Sequence, residues 1–209
     1  MNVLVFGASG ATGRHVVQQA LALRHTVTAF VRTPSRFDFT HSNLHLFQGD
    51  VADPPAILKA INGQDALIST LGVGRPLQHD QAVIDGIRNI LRSMDETGVR
   101  RLVYLSFRGI EERGGFRGTI MRPLVHRILR HEIADHAEKE ALIMASKHDW
   151  TIVLAPKLTN GPATGKYRSG EDITPLGIFP TLSRADVAEF TTRQLADHSY
   201  IRKSPRLFP

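Results

Sequence analysis

The first thirteen residues constrain the fold more than any other stretch of the chain. Residues 2–6, apolar from Val3 onward, predict a short buried strand, and the amphipathic run 14–23 predicts a helix. Between them lie three glycines, Gly7, Gly10 and Gly13, with the spacing G-x-x-G-x-x-G. We expect Gly7 to allow a tight exit from the strand, Gly10 to admit a pyrophosphate, and Gly13 to let helix and strand pack closely. The alternative is a glycine-rich turn that holds no ligand.

The end of the second predicted strand bears on the choice of nucleotide. Residues 26–31 are β-branched and apolar, Arg32 follows them, and Arg36 comes four residues later. In dinucleotide-binding units an acidic residue at this place holds the ribose 2′-hydroxyl, whereas an arginine meets a 2′-phosphate. The two arginines therefore predict NADP rather than NAD, and the alternative is a pair of solvated loop side chains.

Composition narrows the class of protein. A chain of 209 residues with 42% apolar residues suits one α/β domain, and no apolar run is long enough to span a bilayer. The early first strand and the absence of cysteine lead us to expect a cytoplasmic protein without a signal peptide. The net charge of +6 suits a polyanionic cofactor, and no aromatic-interleaved basic patch favours nucleic acid. We expect a small-molecule partner, no membrane partner, and a monomer or homodimer.

Strand and helix signals alternate along the whole chain. This alternation predicts a Rossmann-type, doubly wound parallel sheet with helices on both faces, as a single domain over residues 1–209. The further predicted strands are 44–48, 65–70, 101–106, 150–155 and an edge strand at 205–209. The further predicted helices are 54–61, 80–97, 123–147 and 183–196. Stretches 108–122 and 156–180 lack periodicity and predict loops on the ligand side.

In such a sheet the ligand lies across the carboxyl ends of the strands, where strands one and four diverge. We expect Asp50, after strand three, to accept a hydrogen bond from adenine, with a turn carboxylate as the alternative. Thr70, Leu71 and Gly72 follow strand four and would lie beside the nicotinamide ribose. Ser106 ends strand five, where the reacting carbon should lie, and is a candidate catalytic residue. The alternative for Ser106 is a hydroxyl bonded to local backbone.

Motifs along nearly the whole chain resemble the atypical short-chain dehydrogenase/reductase superfamily. They are GASGATG at 7–13, VRTPSR at 31–36, GD at 49–50, STLG at 69–72 and LVYLS at 102–106. The later motifs DHAEKEAL, DWTIVLAP and LTNGPATGKY are similar to the NAD(P)H-binding, NmrA-like branch, with the flavin reductase and biliverdin IXβ reductase group as its nearest part. The resemblance implies NADPH binding through Gly7, Ser9, Gly10, Ala11, Thr12 and Gly13, with Arg32 and Arg36 on the 2′-phosphate. From their positions at the ends of strands, we expect the NADP(H) site also to include Asp50, Val51, Thr70, Leu71, Gly72, Ser106 and Pro156.

The superfamily's usual catalytic pair, Tyr-x-x-x-Lys, is absent. The residues four positions after the three tyrosines are Arg108, Glu171 and Ser204, and alignment places His131 and Asp135 at the two positions of the pair. The resemblance therefore implies hydride transfer to a flat conjugated acceptor, such as a flavin, biliverdin or a quinone, without a tuned phenol. The alternatives are an NmrA-like regulatory protein that senses NADP(H) without turnover, and an epimerase or dehydratase.

Three histidines recur every five residues on the predicted helix 123–147. His126, His131 and His136 are each displaced by about 140° around a helix, so they share no face and predict no metal site. His131 and His136 each have a carboxylate four residues later, which favours exposed ion pairs. Alternatively, one of these two histidines faces the cleft and relays a proton. On that alternative, His131 and His136 are both candidate catalytic residues. Five arginines either form a basic rim for an anionic substrate or lie on a solvated face. They are Arg113, Arg117, Arg122, Arg127 and Arg130.

Overall fold

The structure, a computed structural model, describes residues 1–72, 80–107, 133–176 and 180–209. Its strands are β1 (Asn2–Phe6), β2 (Thr26–Val31), β3 (Leu44–Gln48), β4 (Ala66–Ser69), β5 (Arg101–Phe107), β6 (Asp149–Ala155), β7 (Lys157–Thr159), β8 (Arg168–Gly170), β9 (Thr181–Ser183) and β10 (Arg206–Phe208). Its helices are α1 (Ala11–Ala22), α2 (Pro54–Ile61), α3 (Gln81–Thr97), α4 (133–144 within the described residues) and α5 (Arg184–Arg193), with a 3-10 turn at Pro34–Arg36.

The main sheet has the strand order β3-β2-β1-β4-β5-β6-β10-β8. Strands β1 to β6 and β10 run parallel, with Leu4 opposite Thr28 on one side and Leu67 on the other, and β8 is antiparallel to β10. Because the chain order reverses between β1 and β4, a crevice opens at the carboxyl ends of these two strands. The predicted Rossmann-type fold is confirmed.

Alternate residues of β1 enter two different cores. Val3 and Val5 pack in the cluster that includes residues of α1 and α5, whereas Leu4 and Phe6 pack with residues of α2 and α3. All four are fully buried, as a central parallel strand requires. The two apolar faces thus hold helices on both sides of the sheet and fix the carboxyl ends of the strands at one edge.

Several element boundaries differ from the prediction. Helix α1 begins at Ala11 rather than residue 14, because Gly10 in an extended conformation serves as its N-cap. The stretch 156–180 is more than a loop, since β7 pairs with β9 and β8 pairs with β10. Strand β10 was expected at an edge, but it lies between β6 and β8.

The long helix predicted at 123–147 is described only from residue 133, and it ends at 144. The loop expected at 108–122 lies outside the described residues, as do the five arginines of the expected basic rim. Within the described ranges, no helix combines the length and apolar character that a bilayer crossing needs.

Candidate functional site

Two glycines of the first turn are required by close contacts within the fold. Gly7 leaves β1 with a φ of +73°, and a Cβ there would lie 2.8 Å from Oγ1 of Thr70. A Cβ on Gly13 would lie 2.1 Å from the carbonyl oxygen of Gly7. Any larger residue at position 13 would push α1 away from β1, which is the packing role expected of the third glycine.

The middle glycine faces outward. The N–H of Gly10 donates to the Gly7 oxygen at 2.9 Å, and a Cβ on Gly10 would lie 3.1 Å from that oxygen. Helix α1 has no side-chain cap and no acidic residue in its first turn. Ser9, Gly10 and Ala11 are exposed. An uncapped helix N-terminus beside an exposed glycine fits the pyrophosphate of a dinucleotide.

Arg14 joins this turn to the segment after β2. Its guanidinium donates to the carbonyl oxygens of Ser9 at 3.3 Å and Arg36 at 2.9 Å, and it pairs with Asp38. The hydrogen bond and charge of Arg14 lower the pKa of the Asp38 carboxyl. Sequence reasoning missed this contact, and its one signal was the position of Arg14 directly after the third glycine.

Arg32 and Arg36 lie on the segment that Arg14 holds. Arg32 follows β2, Arg36 ends the 3-10 turn, and both side chains are exposed. A phosphate could reach both guanidinium groups without burying an unpaired charge. Their contact with a 2′-phosphate stays a prediction.

Asp50 and Val51 follow β3 as expected. Oδ1 of Asp50 accepts the N–H of Ala52 at 2.9 Å, which is the turn carboxylate that the sequence left as the alternative. The carbonyl oxygen of Val51 accepts a hydrogen bond from Asn89 of α3 at 3.1 Å, and Gly86 of α3 leaves room for the Val51 side chain. The Asp50 side chain is exposed, so an adenine contact stays a prediction.

The residues after β4 and β6 line the same edge. Oγ1 of Thr70 lies 3.1 Å from the carbonyl oxygen of Phe6 and 3.2 Å from that of Gly7, so it ties β4 to the glycine turn. Leu71 is half-buried, Gly72 is exposed, and Pro156 is buried directly after β6. We expect these residues to contact the nicotinamide half of a bound cofactor.

A polar cluster covers the end of β5. The Ser106 hydroxyl lies 3.0 Å from Nδ1 of His136 and donates to Oε1 of Glu140 at 2.5 Å, and both partners come from α4. The exposed ion pair predicted for His136 is wrong, because the residue is 6% exposed and meets Ser106. The local-backbone alternative for Ser106 is also wrong, since its partners are side chains about thirty positions away. His131 lies outside the described residues.

Buried charges surround this cluster. Lys139 is fully buried one turn after Asp135, whose carboxylate accepts the N–H of Asp80 at 2.8 Å. Desolvation and then the positive charge of Lys139 lower the pKa of His136 to about 3, although Asp135 opposes the shift. The imidazole is therefore neutral at neutral pH. A buried lysine had no signal in the sequence, because helical lysines usually face solvent.

Tyr104 lies two residues before Ser106 on β5. It is fully buried, and its hydroxyl has no hydrogen-bond partner among the described residues. Burial, and then the charge of Glu140, raise the pKa of the Tyr104 phenol. This phenol cannot serve as an accessible acid.

The model of the NAD(P)H-binding family matches residues 7–198. A photosystem II assembly factor, Ycf39 of Synechocystis, is 30% identical over 219 residues, which cover 98% of this chain and 61% of that protein. An uncharacterized Mycobacterium tuberculosis protein is 35% identical over 107 residues, which are 51% of this chain and 12% of that protein. The chain thus spans less than two thirds of either relative.

Solved structures share the fold. An anaerobillin reductase from Escherichia coli O157:H7 has a TM-score of 0.81 at 20% identity, and the match covers 100% of this chain and 97% of that one. A short-chain dehydrogenase/reductase from Veillonella parvula in complex with NADP has a TM-score of 0.78 at 15% identity, covering 100% and 94%. At these identities the likeness shows the fold alone. The solved structures therefore share the Rossmann-type fold of this chain. Since the family match extends over most of the sequence, the chain belongs to the NAD(P)H-binding family.

Proposed function

We propose that the protein is an NADPH-dependent reductase of a flat conjugated acceptor: a flavin, a biliverdin-like tetrapyrrole or a quinone. The observation that carries this proposal is the polar cluster at Ser106, on the same edge of the sheet as the uncapped glycine turn. The cluster contains a hydroxyl, a neutral imidazole and a carboxyl group, and the nearby phenol of Tyr104 is buried without a partner in the described residues. A reaction that needs no tuned phenol suits such a site.

The chemistry requires little of the protein beyond alignment. Bound NADPH would supply a hydride to the electron-poor centre of the acceptor, and a proton from water would complete the two-electron reduction. The glycine turn would hold the pyrophosphate, Thr70 and Leu71 would border the nicotinamide ribose, and Ser106 would lie near the reacting carbon. Alignment of the two conjugated systems would provide most of the rate.

The preference for NADPH rests on charge. Arg32 and Arg36 are exposed after β2, where a 2′-phosphate would lie. The NADP complex of the Veillonella protein and the name of the anaerobillin reductase agree with this cofactor and this class of acceptor. A cytoplasmic location and a monomeric or dimeric state belong to the same proposal.

A second candidate is a regulatory or assembly protein that binds NADPH without turnover. Ser106 and His136 are 3% and 6% exposed, so the cluster presents little chemistry to solvent. The Synechocystis relative is named as an assembly factor, which agrees with a role of this kind.

The deciding experiment follows NADPH oxidation optically with riboflavin, FMN, biliverdin and quinones as acceptors. Calorimetric titration measures NADPH binding in parallel, and Gly10→Val is the control because its side chain would fill the expected pyrophosphate site while the fold survives. The reductase proposal predicts turnover with at least one acceptor, and loss of both binding and turnover in the control. Tight NADPH binding without turnover of any acceptor would favour the regulatory candidate.

A further inference from the structure

The hydrogen bonds of Ser106 have a fixed direction. A hydroxyl has one proton to donate, and Ser106 has two partners, Oε1 of Glu140 at 2.5 Å and Nδ1 of His136 at 3.0 Å. In this pair the Ser106 hydroxyl donates and the carboxylate oxygen of Glu140 accepts. The Ser106 proton therefore belongs to the bond with Glu140. Nδ1 of His136 must then donate to the Ser106 oxygen.

This direction leaves the second ring nitrogen as an acceptor. Burial and the positive charge of Lys139 lower the pKa of His136 to about 3, so the ring carries one proton at neutral pH. With that proton on Nδ1, Nε2 has a lone pair. In the described part of the chain Nδ1 is the ring nitrogen with a partner, although His136 as a whole is more than nine-tenths buried. A ring nitrogen with a lone pair can accept a hydrogen bond from an N–H group of a ligand.

We propose that Glu140 is a positioning residue that locks His136 in the Nδ1–H tautomer, so that Nε2 accepts a hydrogen bond from a ring N–H of the bound acceptor. Ser106 stands at the carboxyl end of β5, two strands from the glycine turn after β1, and α4 holds His136 against it. The substrate class is then a conjugated ring system with an N–H group, such as a flavin or a tetrapyrrole, rather than a quinone. This second half rests on the proposed function, whereas the tautomer does not.

Nitrogen-15 NMR of the imidazole rings tests the tautomer in the unmodified protein at neutral pH, with His136 assigned by its loss in His136→Gln. The expected spectrum shows a protonated Nδ1 and an unprotonated Nε2. In Glu140→Leu the Ser106 proton becomes available to Nδ1, and the ring proton should move to Nε2. The matched control is Glu138→Ala on the same helix, which removes an exposed pair with Arg88 and should leave the tautomer unchanged.

A protonated Nε2 in the unmodified protein would overturn the proposal, because it would mean that the hydrogen bonds run in the opposite direction. An unchanged tautomer in folded Glu140→Leu would also overturn it. If that variant does not fold, Ser106→Ala removes the acceptor of the Nδ1 proton and should also move the proton to Nε2.

Riboflavin and 3-methylriboflavin test the substrate class by fluorescence titration of the protein saturated with NADP⁺. One hydrogen bond predicts about tenfold weaker binding of the methylated ligand, equivalent to about 1.4 kcal/mol. This discrimination should disappear in Glu140→Leu. Equal binding of both ligands would overturn the proposed class of substrate. So would discrimination that persists in Glu140→Leu, because it would show that the methyl group acts by its bulk. Absence of any turnover together with the expected tautomer would instead reject the reductase function and leave the role of Glu140 standing.

Discussion

Arg32 is the residue on which the proposed choice of nucleotide depends most directly. A charge-assisted hydrogen bond to phosphate contributes about 1.5–3 kcal/mol. Arg32→Ala should therefore raise the dissociation constant of NADPH by about tenfold or more. NADH, which lacks the 2′-phosphate, should bind nearly as before. Calorimetric titration of both nucleotides measures the difference, and Arg92→Ala is the control because Arg92 is an exposed residue of α3 paired with Glu96. An equal loss for NADPH and NADH would contradict the assignment.

Tyr104 is the phenol nearest to Ser106 along β5, yet its environment excludes acid catalysis. The Tyr104 hydroxyl has no partner in the part of the chain that the structure describes, and an unpaired buried hydroxyl costs about 1–3 kcal/mol. Tyr104→Phe should therefore keep or raise the free energy of unfolding and leave turnover unchanged. Urea unfolding and NADPH oxidation measure the two effects. Tyr167→Phe is the comparison, because it removes a hydroxyl that donates to Glu189 and should destabilise the protein. A loss of turnover by about a thousandfold in Tyr104→Phe would identify a catalytic phenol after all.

At the scale of elements, hydrogen bonds to Asp186 connect the segment after β7 to the start of α5. Its carboxylate, 1% exposed, accepts the N–H groups of Thr164 at 2.7 Å and Gly165 at 2.8 Å and the hydroxyl of Ser183 at 2.7 Å. Burial raises the pKa of this carboxyl, but the hydrogen bonds from Ser183, Gly165 and Thr164 outweigh burial and lower it. The ionised form is therefore the one that the folded state stabilises.

The sign of the pH dependence follows from that lowered pKa. The stabilisation is present above the unfolded pKa of about 4 and is lost as the pH falls through the lower folded value. Asp186→Asn should lower the free energy of unfolding by about 2 kcal/mol at neutral pH, and the difference between the variant and the unmodified protein should narrow in acid. Urea unfolding at several pH values measures this, with exposed Asp172→Asn as the control. A gap that stays constant with pH would show that the charge of Asp186 does not contribute.

The elements that the sequence predicted best are those whose own residues determine them. Strand β1 is apolar from Val3 to Phe6, and β2 is a run of β-branched and apolar residues. Helix α3 has one apolar face from Ile84 to Met94, so local pattern was sufficient. Strands β7, β8 and β9 are three residues long and depend on partners that pattern cannot reveal. The hydrogen bond of His136 to Ser106 likewise joins two elements, because Ser106 lies thirty positions earlier on β5. The glycine turn was predictable because backbone sterics are local. The sequence named Ser106 and His136 as separate candidates, but it could not predict their contact, because that contact joins two elements.

At the scale of the whole molecule, the carboxyl ends and the amino ends of the parallel strands form two edges of the sheet with different roles. The carboxyl edge carries the glycine turn and the Ser106 cluster. The amino edge holds Arg101, a 7% exposed arginine at the start of β5. Its guanidinium donates to the carbonyl oxygens of Gln194 at 2.6 Å and Asp149 at 2.6 Å, and to Oγ1 of Thr151 at 2.8 Å. One side chain thus joins β5, β6 and the end of α5, where a cation also complements the helix dipole.

Replacing Arg101 should lower the free energy of unfolding without changing the affinity for the cofactor. Burial lowers the pKa of Arg101 to about 10, so the group is still charged at neutral pH. Arg101→Met removes the donors to buried carbonyl oxygens. It should therefore lower the free energy of unfolding, measured with urea, by about 3 kcal/mol or more. Arg100→Met is the matched control, because it removes an exposed pair with Asp149 and should cost at most about 1 kcal/mol. Since the site lies at the opposite edge, folded Arg101→Met should bind NADPH with unchanged affinity. Weaker NADPH binding without a loss of unfolding free energy would mean that the amino edge takes part in the nucleotide site.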